Sequence, residues 1–273
     1  MADRPEHEDY LRRLADTRGD LLELAPAALA LAALDHADVA LDPYLAHLDE
    51  LAAATTQAGA AGDAPPRALA RTFCERFDYR GDSETYDDTQ NADLIRVIRR
   101  RRGLPVALGI LYLHAARAQG WPAFGLNFPM HFLIRIDAAG RRQVIDPFHD
   151  GRALAADGIR RLLKRVAGDD AELERGHFDA VDDRQVLLRL QNNIKSRAVR
   201  GGDYARAHEI VRRMLLFAPD HVPLWRDASV TSFQVGQVQR AVKLAEAYFE
   251  RAPDSATRND AARLLQRLQR NLN

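Results

Sequence analysis

The sequence predicts an α+β protein: a helix-rich N-terminal part carrying one small antiparallel sheet, followed by an all-α repeat array. Three observations carry that expectation. Apolar residues recur at helical spacing through much of residues 10–119, alternating β-rich segments occupy 131–136 and 143–146, and five residues recur 34 positions apart from Gly202 onward. A length of 273 residues accommodates two domains, expected over 1–182 and 183–273. Hydrophobic residues at 47% and charged residues at 29% are ordinary globular usage, which excludes a disordered or collagen-like chain. Lys and Arg number 39 against 39 Asp and Glu, so the basic excess of a generic nucleic-acid or anionic-membrane binder is missing; neither is expected as a partner.

Residues 10–58 are rich in Ala and Leu, and Leu45, Leu48 and Leu51 follow Asp42-Pro43, a cap with proline at the first helical position. A break at Ala58–Pro66 precedes a second helical run on which Leu69, Phe73 and Phe77 fall at i, i+4, i+8. Cys74 lies beside that stripe and reads as a small buried apolar residue, because no neighbour there would lower its pKa. After a turn-rich stretch, Asn91 or Asp93 caps a helix carrying Leu94, Ile95 and Ile98 and ending at Gly103. Arg99, Arg100, Arg101 and Arg102 fill its last turn, where cations offset the negative end of the helix dipole. A phosphate contact is the weaker reading of that run.

A further helix spans about Val106 to Gln119, stopped by Gly120 and Pro122. His131-Phe-Leu-Ile-Arg-Ile136, a turn at Asp137–Gly140 and Gln143-Val-Ile-Asp146 then form a hairpin that could bring His131 and Asp146 together. No convincing strand follows residue 155. Gly202 and Gly236, Ala207 and Ala241, Ala218 and Ala252, Pro219 and Pro253, and Asp220 and Asp254 are each 34 apart, the tetratricopeptide period. Glycine permits the tight interhelical turn and alanine the close crossing. Two repeats are few for independent stability, so Val186–Val199 and Ala256–Leu272 are expected to complete or cap the stack.

The phosphate-binding, dinucleotide-binding, nucleophile-elbow and zinc-hydrolase motifs are all missing, and one cysteine excludes Cys-x-x-Cys. No cofactor and no metal is therefore expected. A lone cysteine, an acidic polar opening and no apolar run of the length that spans a bilayer point to a cytoplasmic protein.

The run Arg102-Gly-Leu-Pro-Val-Ala-Leu-Gly-Ile-Leu-Tyr112, then Gly125-Leu-Asn-Phe-Pro-Met-His-Phe-Leu-Ile-Arg135, then Val144-Ile-Asp-Pro-Phe148 and Gly151, resembles the bacterial SirB family over about residues 30–270. That resemblance implies a transglutaminase-like, papain-like domain followed by tetratricopeptide repeats. The fold it implies uses a Cys at a helix start, a His on the next strand and an Asp on the one after: the His moves the proton and the Asp fixes its tautomer. His131 and Asp146 match the last two. The segment matching the Cys-bearing helix start, Gly103 to Ile110, contains no Cys, Ser or Thr, so the triad is a remnant without its nucleophile. Arg102, Gly103, Pro105, Asn127 and Met130 are expected around the cleft, with Met130 replacing a glycine of the family pattern and narrowing it. On the repeats, Arg206, Arg213, Arg226, Gln234 and Lys243 are the polar residues left to line a peptide-binding face.

The leading expectation is a non-catalytic, cytoplasmic protein-interaction or regulatory scaffold, a pseudoenzyme that binds a protein or peptide through its repeats. The alternative is a thiol-independent hydrolase or transferase using His131 and Asp146.

Overall fold

A computed structural model describes residues 4–17, 19, 21–36, 38–138 and 140–270. The chain divides into two compact units, one of residues 1–7 and 18–190, the other of residues 8–17 and 191–273. The division differs from a cut after residue 182 for a local reason: it falls inside one continuous helix, Asp183–Arg200, and helix α1 (Arg4–Asp16) contributes most of its length to the second unit.

In the first unit, α2 (Leu24–Ala33), α3 (Asp42–Ala60) and α4 (Pro65–Ala70) lead into a π-helical turn, Arg71–Arg76. Helix α3 already includes Asp42, with Leu41 at its N-cap and no side-chain cap; Pro43, which lacks an N–H, fits the first turn. The π turn alters the apolar stripe: Phe77 donates its N–H to Thr72, five residues back, so Phe73 is buried while Phe77 is only half-buried. Helix α5 (Leu94–Arg100) is capped by Asp93, whose carboxylate accepts from the Arg96 N–H.

Helix α5 ends before Gly103, because Arg101 takes the left-handed conformation (φ 58°) that closes it. Arg102–Gly103 then forms β2, paired in parallel with β1 (Arg80–Gly81). The four arginines each have a partner. Arg99 lies over Tyr44, Arg100 pairs with Asp82 and donates to Asn91, Arg101 donates to His47 and Tyr79, and Arg102 donates to the Asp78 carbonyl. The dipole alone does not describe this run; it ties α5 to the surrounding loops.

Helix α6 (Pro105–Ala118) is buried along nearly its whole length and packs beside a five-stranded antiparallel sheet. The sheet contains β3 (Ala123–Leu126), β4 (Ile134–Ala138), β5 (Arg141–Asp146), β6 (Arg152–Leu154) and β7 (Ala180–Val181), in the order β6-β5-β4-β3-β7. Ile134 pairs with Ile145, which leaves His131 just ahead of β4 and Asp146 at the end of β5, on the same end of the hairpin. Strands β3 and β6 carry no long alternation, and β7 is a two-residue strand beyond residue 155 that only its pairing with β3 defines. Helix α7 (Ala156–Ala167) covers one face, burying Ile159, Leu162 and Leu163 against Leu126, Phe128 and Leu133. A buried fork joins α6 to the start of α8 (Asp183–Arg200): Arg117 donates to both Asp183 carboxylate oxygens at 2.7 and 2.9 Å.

The second unit is all-helical. After the C-terminal part of α8 come α9 (Tyr204–Phe217), α10 (Pro223–Gln234), α11 (Val238–Glu250) and α12 (Ser255–Gln269). The 34-residue register is visible in the backbone: Gly202 and Gly236 both have positive φ, 74° and 78°, at equivalent interhelical turns, and Ala207 and Ala241 are fully buried. No helix among the described residues is long and apolar enough to cross a membrane.

Candidate functional site

The end of the β4–β5 hairpin holds a compact polar cluster. His131, 7% exposed, shares a hydrogen bond through Nε2 with Asp146 Oδ1 at 2.9 Å, and His149 shares one through Nδ1 with Oδ2 at 2.7 Å. The backbone N–H groups of Phe148 and His149 donate to Oδ1 at 3.0 and 3.3 Å, so the turn after β5 folds back onto its own aspartate. Asp146 is 2% exposed. Burial pushes its carboxyl up, but the hydrogen bonds and charge of the two histidines outweigh this and hold it well below the ordinary carboxylate range.

Close approach of aromatic rings to glycines fixes where these groups sit. A Cβ on Gly109 of α6 would lie 2.5 Å from the Phe132 ring, and one on Gly125 of β3 would lie 2.7 Å from it, so Phe132 occupies a slot that only glycines leave open. Its neighbour His131 is located by that fit. Phe148 lies on Gly81 in the same way, with a Cβ there 2.5 Å from its carbonyl oxygen and 2.6 Å from its ring. Arg189 of α8 donates to the carbonyls of Phe128 and His131 and lies over Phe132, which clamps the loop carrying the histidine.

Met130 adopts φ 58°, the left-handed region in which a glycine costs least. Its side chain is 73% exposed, so it projects into solvent and does not narrow a cleft. Asn127 is exposed and donates its backbone N–H to Asp179. Arg102 turns to Asp78, Gly103 sits against Val97 in the β1–β2 ladder, and Pro105 is buried in the first turn of α6. These five thus sit in the β1–β2 ladder, the first turn of α6 and the 127–130 loop, while His149 and Arg189 are the neighbours of His131 and Asp146 that the sequence pattern missed. His149 had a local signal, three residues after the aspartate in a turn; Arg189 had none.

A cavity of about 770 Å³ lies beside the cluster, lined by Pro66, Ala70, Arg80, Phe148, His149 and Arg152 among others. Cys74 is buried on the π turn, its Sγ 3.4 Å from the Tyr112 hydroxyl. Burial pushes the thiol pKa up, partly opposed by the hydrogen bond with Tyr112, so the thiolate is disfavoured. The opening of α6, from Pro105 to Ile110, is buried.

On the repeats, Gln234 and Lys243 are exposed, Arg206 is half-buried and Arg226 pairs with Asp260 at 2.8 Å. Arg213 departs from the expected binding face: it is 2% exposed and held by Glu209 at 3.1 Å, inside the unit. Glu209 also pairs with Arg212, which reaches Glu8 of α1 at 2.7 Å. Burial raises the Glu209 carboxyl, but the hydrogen bonds from Arg212 and Arg213 prevail and lower it to about 2.

Sequence comparison agrees with this architecture. The transglutaminase-like superfamily is matched over residues 42–192 and the tetratricopeptide repeat over residues 194–269. The two units are thus a transglutaminase-like domain and a short repeat array. The chain belongs to the transglutaminase-like superfamily and, within it, to the family of bacterial UPF0162 proteins. It is 31% identical over 248 residues to a UPF0162 protein of Vibrio cholerae, covering 88% of this chain and 90% of that one. It is 30% identical over 244 residues to UPF0162 protein PA3419 of Pseudomonas aeruginosa, covering 83% and 88%. Among solved structures, the crystal structure of menin gives a TM-score of 0.40 at 11% identity, covering 97% of this chain and 74% of that one.

Proposed function

We propose that this chain is a non-catalytic protein-interaction scaffold of the SirB type, acting in the cytoplasm, in which the transglutaminase-like domain has lost acyl transfer and the repeats receive a peptide segment of a partner. One observation carries the reading. The chain's single thiol is buried against Tyr112 with its pKa raised, and the buried segment from Gly103 through the opening of α6 to Ile110 has no Cys, Ser or Thr to replace it. Acyl transfer through a covalent intermediate needs an activated nucleophile within reach of its base. The His131 nitrogen that faces Asp146 is engaged by that carboxylate, consistent with a hydrogen bond that holds the hairpin end. Tetratricopeptide repeats generally mediate protein–protein interaction, and Gln234 and Lys243 give this array exposed polar positions for it.

The test is affinity capture from bacterial lysate with three forms of the full chain: wild type, a Gln234→Glu/Lys243→Glu double variant, and His131→Ala. A partner retained by wild type and His131→Ala but lost by the double variant is the expected result. A reproducible amide- or ester-hydrolysing rate in the wild type, abolished by His131→Ala, overturns the reading.

A further inference from the structure

We propose that His131, Asp146 and His149 bind one divalent first-row metal ion, with Zn2+ the ion their donor set fits. Two imidazole nitrogens and a carboxylate are the borderline nitrogen and oxygen ligands such ions prefer. The ligand atoms all lie within 4.8 Å of one another. Metal–ligand bonds of about 2.0–2.2 Å put neighbouring donors of a tetrahedron roughly 3.3 Å apart. The present contacts run to different carboxylate oxygens, 2.9 Å from His131 to Oδ1 and 2.7 Å from His149 to Oδ2. To admit the ion these open by about half an ångström while ligand atoms as much as 4.8 Å apart draw together, a rearrangement within reach of side-chain torsions. Each imidazole then turns a lone pair inward, its proton carried on the other ring nitrogen.

Two further features separate this cluster from a chance grouping of polar side chains. Asp146 is a buried carboxylate whose ion pairs are with histidines alone; no Lys or Arg nitrogen among the described residues lies within 4 Å of it. A buried charge needs a counter-charge, and here the available ones are an imidazolium or a bound cation. The Asp146 carboxylate and the His131 backbone are also held in place by neighbouring groups. The Phe148 and His149 N–H groups hold Oδ1, and Arg189 and the glycine slot around Phe132 hold the His131 backbone. His149 lines the 770 Å³ cavity, which gives an ion access to the cluster from that side, and three protein ligands are enough to hold it. This inference stands apart from the scaffold reading and uses neither the repeats nor the missing nucleophile.

The experiment is titration of the full-length, chelator-treated protein with Co2+, read by its d–d absorption, and with Zn2+, read by calorimetry. One ion per chain is expected, with no thiolate-to-metal band. Because His149 is exposed, His149→Ala keeps the fold, which far-UV circular dichroism checks, and weakens Zn2+ binding by at least about 10-fold, the loss that even an outer-shell partner can cause. Asp146→Asn weakens it as well, and Cys74→Ser leaves it unchanged. The proposal is overturned if the wild type takes up no stoichiometric ion, if both His149→Ala and Asp146→Asn bind as tightly as wild type, or if Cys74→Ser abolishes binding.

Discussion

Removing the Asp146 side chain tests whether the cluster stabilises the hairpin end. In Asp146→Ala, His131, buried at 7% exposure, loses its one side-chain hydrogen-bond partner among the described residues, while His149, on the surface, can turn to water. The Phe148 and His149 N–H groups lose their acceptor at the same time. A hydrogen bond to a charged group is worth about 1.5–3 kcal/mol, and a truncated partner that leaves a buried polar group unpaired costs about 1–3 kcal/mol. The unpaired His131 and the two orphaned N–H groups together put the expected loss at about 3–4 kcal/mol. Asp146→Asn keeps the shape and one oxygen acceptor, and an imidazole can change tautomer to face the amide, so its cost is about 1–2 kcal/mol. Urea denaturation with chelator present, at equal m-value, measures both. If alanine and asparagine cost the same, or if alanine costs under about 1 kcal/mol, the hydrogen bonds described here do not stabilise the fold and the reasoning fails.

Three other outcomes follow from single contacts. Glu209, held at about 2 against an ordinary 4.5, contributes stability that is full above about pH 4.5 and is lost as pH falls toward 2; at full strength the depression is worth about 3 kcal/mol, and solvent screening of a partly exposed carboxylate reduces it to about 1–2 kcal/mol. The stability gap between wild type and Glu209→Gln should therefore narrow as pH is lowered from about 6 to about 3 in a denaturant series, and a gap that widens refutes the assignment. Gly109→Ala drives a methyl into the Phe132 ring and should cost about 1–3 kcal/mol, with Phe132→Leu in the same chain recovering part of it; additive losses from the pair would mean the ring is not in that slot. Met130→Gly relieves a left-handed residue whose side chain touches little, and the gain, after the entropy of the new glycine, should be about 0.5–1 kcal/mol in thermal melts, against a loss if Met130 packed into a cleft.

Local chemistry was readable wherever a short pattern decides it. The 34-residue recurrence located both glycine turns of the repeats, Asp93 was one of two possible caps, and alternation at 131–136 and 143–146 found the hairpin that sets His131 beside Asp146. Features decided by distant partners were not readable. Strands β3, β6 and β7 are short, and only their pairing makes them strands. Arg213 looks like any surface arginine until Glu209, one helical turn away, turns it inward, and the Arg189 clamp joins residues 58 and 61 positions apart. Met130 shows a subtler limit: a pattern can mark the place of a glycine without revealing whether the glycine gave space or backbone conformation. Here it is conformation, because φ is positive and the side chain is in solvent.

The His131–Asp146 pair has a physical role in the fold that does not require catalysis. Asp146 accepts two backbone N–H groups and two imidazoles, so it closes the turn after β5 as well as orienting a ring. His131 precedes Phe132, whose ring fills the space between two glycines on α6 and β3, and the backbone carbonyl of the histidine is an acceptor for Arg189. Substituting either member therefore perturbs the packing of α6, β3 and α8 together, and a cost of several kcal/mol is a large share of the total stability of a domain. Under the scaffold reading proposed above, the contribution of the pair to folding is then a sufficient role for it. His149 differs from the other two: it is exposed, its removal opens no cavity, and Asp146 keeps His131 and two N–H groups without it. Its removal therefore changes ion binding far more than folding if the metal site exists, which is why that residue, and not His131, discriminates a metal site from a purely structural hydrogen-bonded corner.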